Sequence, residues 1–191
     1  MNKIKDLEKL KNKMEEDMEL PLYKKANLVF GEGDPDAKVL FIGEAPGFYE
    51  DQERRPFVGR AGQLLNKLLN DLKWKRESVY ITNIVKRRPP ENRDPSPEEI
   101  GIYKSYLKKQ IEIIQPKIIA TLGRYSMNFF LPNVKISVGH GKVFNFKKHI
   151  VYPLYHPAAA LRSTNVLREL KKDFKRLPTL LKHYKRGSIK T

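Results

Sequence analysis

Four short runs rich in Val, Ile and Tyr constrain this chain more than anything else in it: KVLFIGEA (38–45), SVYITNIV (78–85), KIIATLG (117–123) and HIVYPLY (149–155). Each is apolar almost without a break, the pattern of a strand covered on both faces. Helical patterns fall between them. GRAGQLLNKLLNDL (59–72) puts Leu64, Leu65, Leu68, Leu69 and Leu72 on one face. SPEEIGIYKSYLKKQIEII (96–114) opens with Ser96, Pro97 and Glu99 in capping-box spacing. A short helix is expected after Gly123 and a basic helix over 163–183. Strand–helix–strand order predicts a parallel sheet with right-handed crossovers and helices on both faces.

At 191 residues the chain suits one compact domain, 1–191, with residues 1–20 as an N-terminal helical extension and 184–191 as a basic tail. No apolar run reaches the length of a membrane span, and the charged N-terminus lacks the apolar centre of a secretory signal, so an intracellular, cytoplasmic protein is expected. With no cysteine, disulfides, thiolate metal sites and iron–sulfur ligation are excluded. Thirty-eight Lys and Arg against 22 Asp and Glu give a net charge of +16, which favours a polyanionic partner and points to nucleic acid.

In such sheets, sites form beyond the C-terminal ends of the strands. The first strand delivers GEAPGFYED (43–51), a tight loop with three carboxylates and no helical pattern until about Gly59; the second delivers Thr82 and Asn83 and then KRRPPENRDP (86–95). The third ends in Gly123 and Arg124, and the fourth in Tyr155, His156 and Pro157. Glu44, between Gly43 and Ala45, either faces a ligand or caps its own turn. Glu50 and Asp51 are expected to cap or to pair with Arg54 and Arg55. Phe57, in a polar loop beside arginines, is either a core plug or a surface on which a base stacks. Asn83 ends an apolar strand and must satisfy both halves of its amide, in a network or against a ligand edge. The cations of KRRPPENRDP, at the same edge, suit phosphate. HGK (140–142) suits a turn, and no metal constellation is visible.

Taken together and in this order, GEAPGFYED, RPFVGRAG, YITNIVKRRPPENRDPSPEE, PKIIATLGR and YHPAAALR resemble the family 4 uracil-DNA glycosylases over about residues 21–177. The resemblance implies a three-layer α/β/α sandwich with a central four-stranded parallel sheet, and hydrolysis of the N-glycosidic bond of deoxyuridine in single- or double-stranded DNA. It implies Glu44 and His156 as catalytic residues and Gly43, Ala45, Phe57, Asn83 and His156 as the uracil site. Contacts to DNA are expected from Arg60, Lys86, Arg88, Arg93, Arg124, Ser126, Leu161 and Arg162, the last pair filling the gap left by a flipped base or forming an ordinary first helical turn. Phe48 or Tyr49 is the candidate for excluding the 5-methyl of thymine. Family members hold a four-iron, four-sulfur cluster on cysteines, whose counterparts here are Asp17, Leu20, Arg87 and Tyr103. No cluster or other cofactor is expected; Leu20 and Tyr103 are expected to fill the space and Asp17 to pair with Arg87. The protein is expected to act as a monomer without strand cleavage. The alternatives are a superfamily glycosylase for another deaminated base such as hypoxanthine, or a basic DNA-binding module without turnover.

Overall fold

The computed structural model describes residues 2–184. Its first helix, α1 (Lys3–Glu16), is followed by β1 (Glu32–Gly33), β2 (Val39–Gly43), the short α2 (Phe48–Glu53), α3 (Arg60–Asp71) and β3 (Tyr80–Asn83). Then come α4 (Pro97–Ile114), β4 (Ile118–Leu122), α5 (Arg124–Phe130), α6 (Ile136–Gly139), β5 (Phe144–Phe146) and β6 (His149–Leu154). The chain closes with α7 (Pro157–Ala160), α8 (Thr164–Phe174) and α9 (Leu177–His183).

The sheet has six strands in the order β1-β3-β2-β4-β6-β5. Its middle four are parallel, as the apolar runs require. The four-stranded expectation is corrected at both edges, where β1 joins β3 and β5 joins β6, each antiparallel. Two and three residues carry no periodic signal, which is why neither edge strand shows in the sequence. β5 and β6 form a hairpin that turns through Lys147, at φ 53°.

Both faces of the sheet are buried, and alternate residues of each strand serve opposite layers. Leu40, Ile42, Tyr80, Ile119 and Val151 pack with Leu7, Leu10 and Met14 of α1 and with Tyr103, Leu107 and Ile111 of α4. Val39, Phe41, Ile81, Ala120 and Tyr152 pack with Leu65, Leu68 and Leu69 of α3 and with Leu170, Phe174 and Leu177 beyond α7. The result is the expected α/β/α layering. α1 contributes to the core rather than standing clear of it.

Helix ends follow the local chemistry. The Ser96 hydroxyl accepts from the Glu99 amide while the Glu99 carboxylate accepts from the Ser96 amide, completing the capping box of α4. The single basic helix expected over 163–183 is two helices, because Pro178 in the first turn of α9 removes a donor that a continuous helix would need. The loop after β2 is likewise not free of helix: α2 occupies it, capped at Gly47. Of the basic tail assigned to 184–191, all but Tyr184 lies outside the described residues.

Candidate active site

β2 and β3 run side by side with Gly43 opposite Asn83. That register demands glycine, because a Cβ at position 43 would lie 2.4 Å from Asn83 Oδ1 and 2.6 Å from the Phe57 ring. The amide and the aromatic ring therefore meet over bare backbone. His156 arrives from the end of β6, its ring centroid 5.7 Å from that of Phe57 and tilted by 31°. Beneath it, Gly123 has φ +94°, and a Cβ there would come within 3.0 Å of the His156 Cβ.

These groups line one cavity of ≈ 680 Å³, together with Glu44, Ala45 and Arg124, a volume typical of small-molecule sites (about 300–1,000 Å³). Asn83 is 2% exposed, yet its carboxamide has no hydrogen-bond partner among the described residues. An amide so placed is open to a ligand edge. His156 Nδ1 accepts from the Ala158 N–H at 3.0 Å, so the ring proton sits on Nε2. Burial pushes the His156 pKa down to about 4 against the opposing charge of Glu50, and the ring is neutral at physiological pH. Burial also raises Glu44, to about 7; the carboxylate of Asp94 adds to the rise and Arg124 opposes it. Asp94 is itself held by the Arg124 guanidinium and the Tyr125 hydroxyl.

Phe57 is fixed by residues that carry no signal of their own in the sequence. Its backbone is left-handed, φ 53°, an uncommon state for an aromatic residue. Arg76 donates to the carbonyls of Pro56 and Phe57 and to Asn66 Oδ1, and its Nε donates to Glu32 at 2.8 Å. Arg55 binds the same carboxylate. On the other side, Gly62 of α3 admits the Phe57 carbonyl, which a Cβ would strike at 1.8 Å. Glu50 accepts from the amides of Val58 and Gly59, capping α3, and Asp51 accepts from the Asn27 amide. Of the two roles expected for these acids, the structure shows capping of backbone; Arg55 pairs with Glu32 instead.

The expected DNA contacts divide. Lys86 is corrected outright: it is completely buried, and its amine donates to Thr82 Oγ1 and Gln110 Oε1. Burial holds its pKa well below that of an ordinary lysine. Ser126 is corrected too, since its hydroxyl is closed from solvent and donates back to the carbonyls of Leu122 and Gly123. Arg93 and Arg124 reach the cavity rim, but Arg93 is held by two bonds to Glu99 and Arg124 by Asp94. Arg88 donates to Asn92 and lies over the Phe48 ring. Arg60, Leu161 and Arg162 are exposed, with Arg162 on the cavity wall. Phe48 and Tyr49 are exposed and do not line the cavity, which removes both as guards against a methyl group. His140 pairs with Asp173 at 2.7 Å, and no metal-binding group is found among the described residues.

The four positions matching the cluster cysteines offer no thiolate. Leu20 and Tyr103 are buried in the apolar cluster of α1 and α4, and the Tyr103 hydroxyl donates to the Pro21 carbonyl. Asp17 does not pair with Arg87; it accepts from the Tyr106 hydroxyl, while Arg87 donates to the Ala26 carbonyl. An apolar side chain, a phenol and a guanidinium cannot ligate iron–sulfur clusters, so these residues do not fit one.

This architecture and cavity belong to a known class. The family model described as the uracil DNA glycosylase superfamily matches residues 30–178, and the chain belongs to that superfamily. The type-4 uracil-DNA glycosylase of Sulfurisphaera tokodaii is 44% identical over 96% of this chain and 88% of its own length. That of Saccharolobus solfataricus is 47% identical over 81% of this chain and 76% of its own. The type-5 uracil-DNA glycosylase of Pyrobaculum aerophilum is more distant, 31% identical over 66% of this chain and 63% of its own length.

Proposed function

We propose that the protein excises uracil from DNA by hydrolysing its N-glycosidic bond, leaving an abasic site, in a monofunctional reaction that starts base-excision repair. The observation that carries this is the meeting of Asn83 and Phe57 over Gly43, with a neutral His156 beside the Phe57 ring. A flipped uracil stacks on Phe57, and the Asn83 carboxamide donates to O4 and accepts from N3–H. Cytosine presents a donor and an acceptor in the opposite order and would leave the amide unpaired, a costly mismatch in a buried site.

As the C1′–N1 bond breaks, its electron pair passes to the uracil ring and charge gathers on O2. The Nε2–H of His156 donates to that oxygen, a bond that strengthens as the charge develops. A neutral imidazole suits this role, since it stabilises the departing anion without having to lose a proton of its own. Water adds to C1′, and the carboxylate of Glu44 takes its proton.

We propose further that the protein acts as a monomeric single domain inside the cell, without an iron–sulfur cluster, and that its DNA substrate includes single and double strands. The experiment is incubation with an oligonucleotide carrying one uracil, followed by alkali. Cleavage at the uracil position is expected; an oligonucleotide left intact, or cut only where another deaminated base stands, overturns the proposal.

A further inference from the structure

Across α2 from the active site lies a second polar cavity of ≈ 330 Å³. Glu50 of α2 lines the first cavity, whereas Asp51 and, just past the helix, Arg54 line the second. Lys24, Lys25 and Arg87 complete its basic wall. The wall is built rather than incidental. Lys24 and Arg87 both lie over the ring of Tyr23, at 5.6 and 5.5 Å from its centroid. Lys24 and Arg54 are held in left-handed backbone conformations, at φ 58° and 56°.

Two carboxylates, Glu15 and Asp51, share the lining with four cations and offset them only in part. Asp51 accepts from the Asn27 amide at 2.7 Å, and Glu15 comes no closer than 4.0 Å to Arg87. Lys24, Lys25 and Arg54 form no ion pair among the described residues, and the buried Nε of Arg87 has no partner. The excess of cations over carboxylates round this hollow favours the entry of an anion.

We propose that this pocket holds a backbone phosphate of the DNA strand flanking the flipped nucleotide. The inference rests on the uracil-excision reading for its substrate, and on the geometry for its place. The two cavities share the short helix α2, which lines one through Glu50 and the other through Asp51, and a helix is roughly 10 Å across. Phosphates follow one another at about 3.4 Å of rise along one strand of a duplex, so a phosphate a few nucleotides from the target falls within reach. Arg87, one of the four positions that match the family's cysteines, lines the pocket.

The test compares two variants of equal charge. The first, Lys24→Gln/Lys25→Gln/Arg54→Gln, neutralises three exposed residues of the pocket; the second, Lys38→Gln/Lys73→Gln/Lys75→Gln, removes three exposed charges from the segments that precede β2 and β3, at the strands' N-terminal ends. Binding of an undamaged fluorescent 20-mer is measured by anisotropy across a salt series, a readout that needs no turnover and so stands apart from the excision assay. The pocket variant is expected to lose affinity by about tenfold and to flatten the slope of log K against log salt by about one phosphate, roughly 0.7–0.9. Its single-turnover excision rate at saturating DNA should stay within twofold of wild type. Equal losses in both variants would reduce the effect to net charge and overturn the site. So would unchanged DNA affinity together with stabilisation of the wild type, but not of the pocket variant, by inorganic phosphate, which would assign the pocket to a free anion.

Discussion

Asn83 and Lys86 stand three residues apart at the exit of β3, and they illustrate opposite ways of burying a polar group. The Asn83 carboxamide is nearly inaccessible yet left without a protein partner, facing the cavity. The Lys86 amine is wholly enclosed and fully engaged: it donates to Thr82 Oγ1 and Gln110 Oε1, while Thr82 and Gln110 both donate to the Phe30 carbonyl. A network closed on itself contributes rigidity and nothing to recognition. A buried amide left open costs stability in the empty protein and recovers it when a complementary ligand arrives. Position along the chain does not separate binding from architecture here; the state of the hydrogen bonds does.

The sharpest way to break this contrast is to remove each partner in turn. Asn83→Ala should lower kcat/KM for uracil excision by about 10³-fold or more, because a pocket built to pair with one edge loses that much when pairing fails. Thermal stability should not fall, since no protein bond is lost and a buried amide without a partner is removed. If the fall is less than tenfold, base reading lies elsewhere.

The pH profile tests the catalytic side. Glu44 acts as a carboxylate, so the single-turnover rate should be full above its pKa of about 7 and fall roughly tenfold for each unit below it. Because Asp94 helps raise Glu44, Asp94→Asn should move that limb to lower pH. The same shift has a sign for stability. A carboxyl raised in the folded state contributes stability that is present below its ordinary value of 4.5 and lost as pH rises through about 7. Glu44→Gln should therefore melt higher than wild type at pH 8 and not at pH 4. A flat rate profile from pH 6 to 8 would remove Glu44 from the chemistry.

Smaller effects fall on the supports. Arg76→Ala frees the carbonyls of Pro56 and Phe57 and leaves Glu32 to Arg55 alone, and should cost about 3 kcal/mol of stability. Excision should slow by about tenfold as Phe57 leaves its left-handed state, read as a higher KM with kcat less affected. An unchanged KM in a folded variant would mean that the loop holds Phe57 unaided. Lys86→Met should have the least effect on the site. About 1–3 kcal/mol is lost as Gln110 and Thr82 go unpaired, while the salt dependence of DNA binding stays that of wild type. A flatter slope would restore Lys86 to the DNA surface.

Much of this was legible beforehand. Continuous apolar runs locate the four parallel strands, the rule that sites lie beyond strand ends singles out Glu44, Asn83 and His156, and the polar, arginine-flanked loop singles out Phe57; all four line one cavity. What was hidden depends on partners remote in sequence. Lys86 follows an apolar run and looks like the first cation of a basic loop; only Gln110, 24 residues on in α4, reveals that it is interior. Arg76, in a connecting turn, gains its meaning from Glu32, 44 residues earlier. Ser126 at a helix start suggests a phosphate donor, but its hydroxyl bonds back along its own turn, a choice of rotamer that composition does not reveal. Pro178, by contrast, was a visible stop signal inside the helix expected over 163–183.

The enclosed lysine carries one more consequence. Its folded pKa lies well below 10.5, so across that interval the unfolded chain holds a proton the native one does not. Stability should climb with pH through this interval and be lost as pH falls through the folded value. Each molecule that melts at a pH inside this interval must then draw a proton from the buffer, and calorimetry in two buffers of different ionisation heat would register the uptake directly.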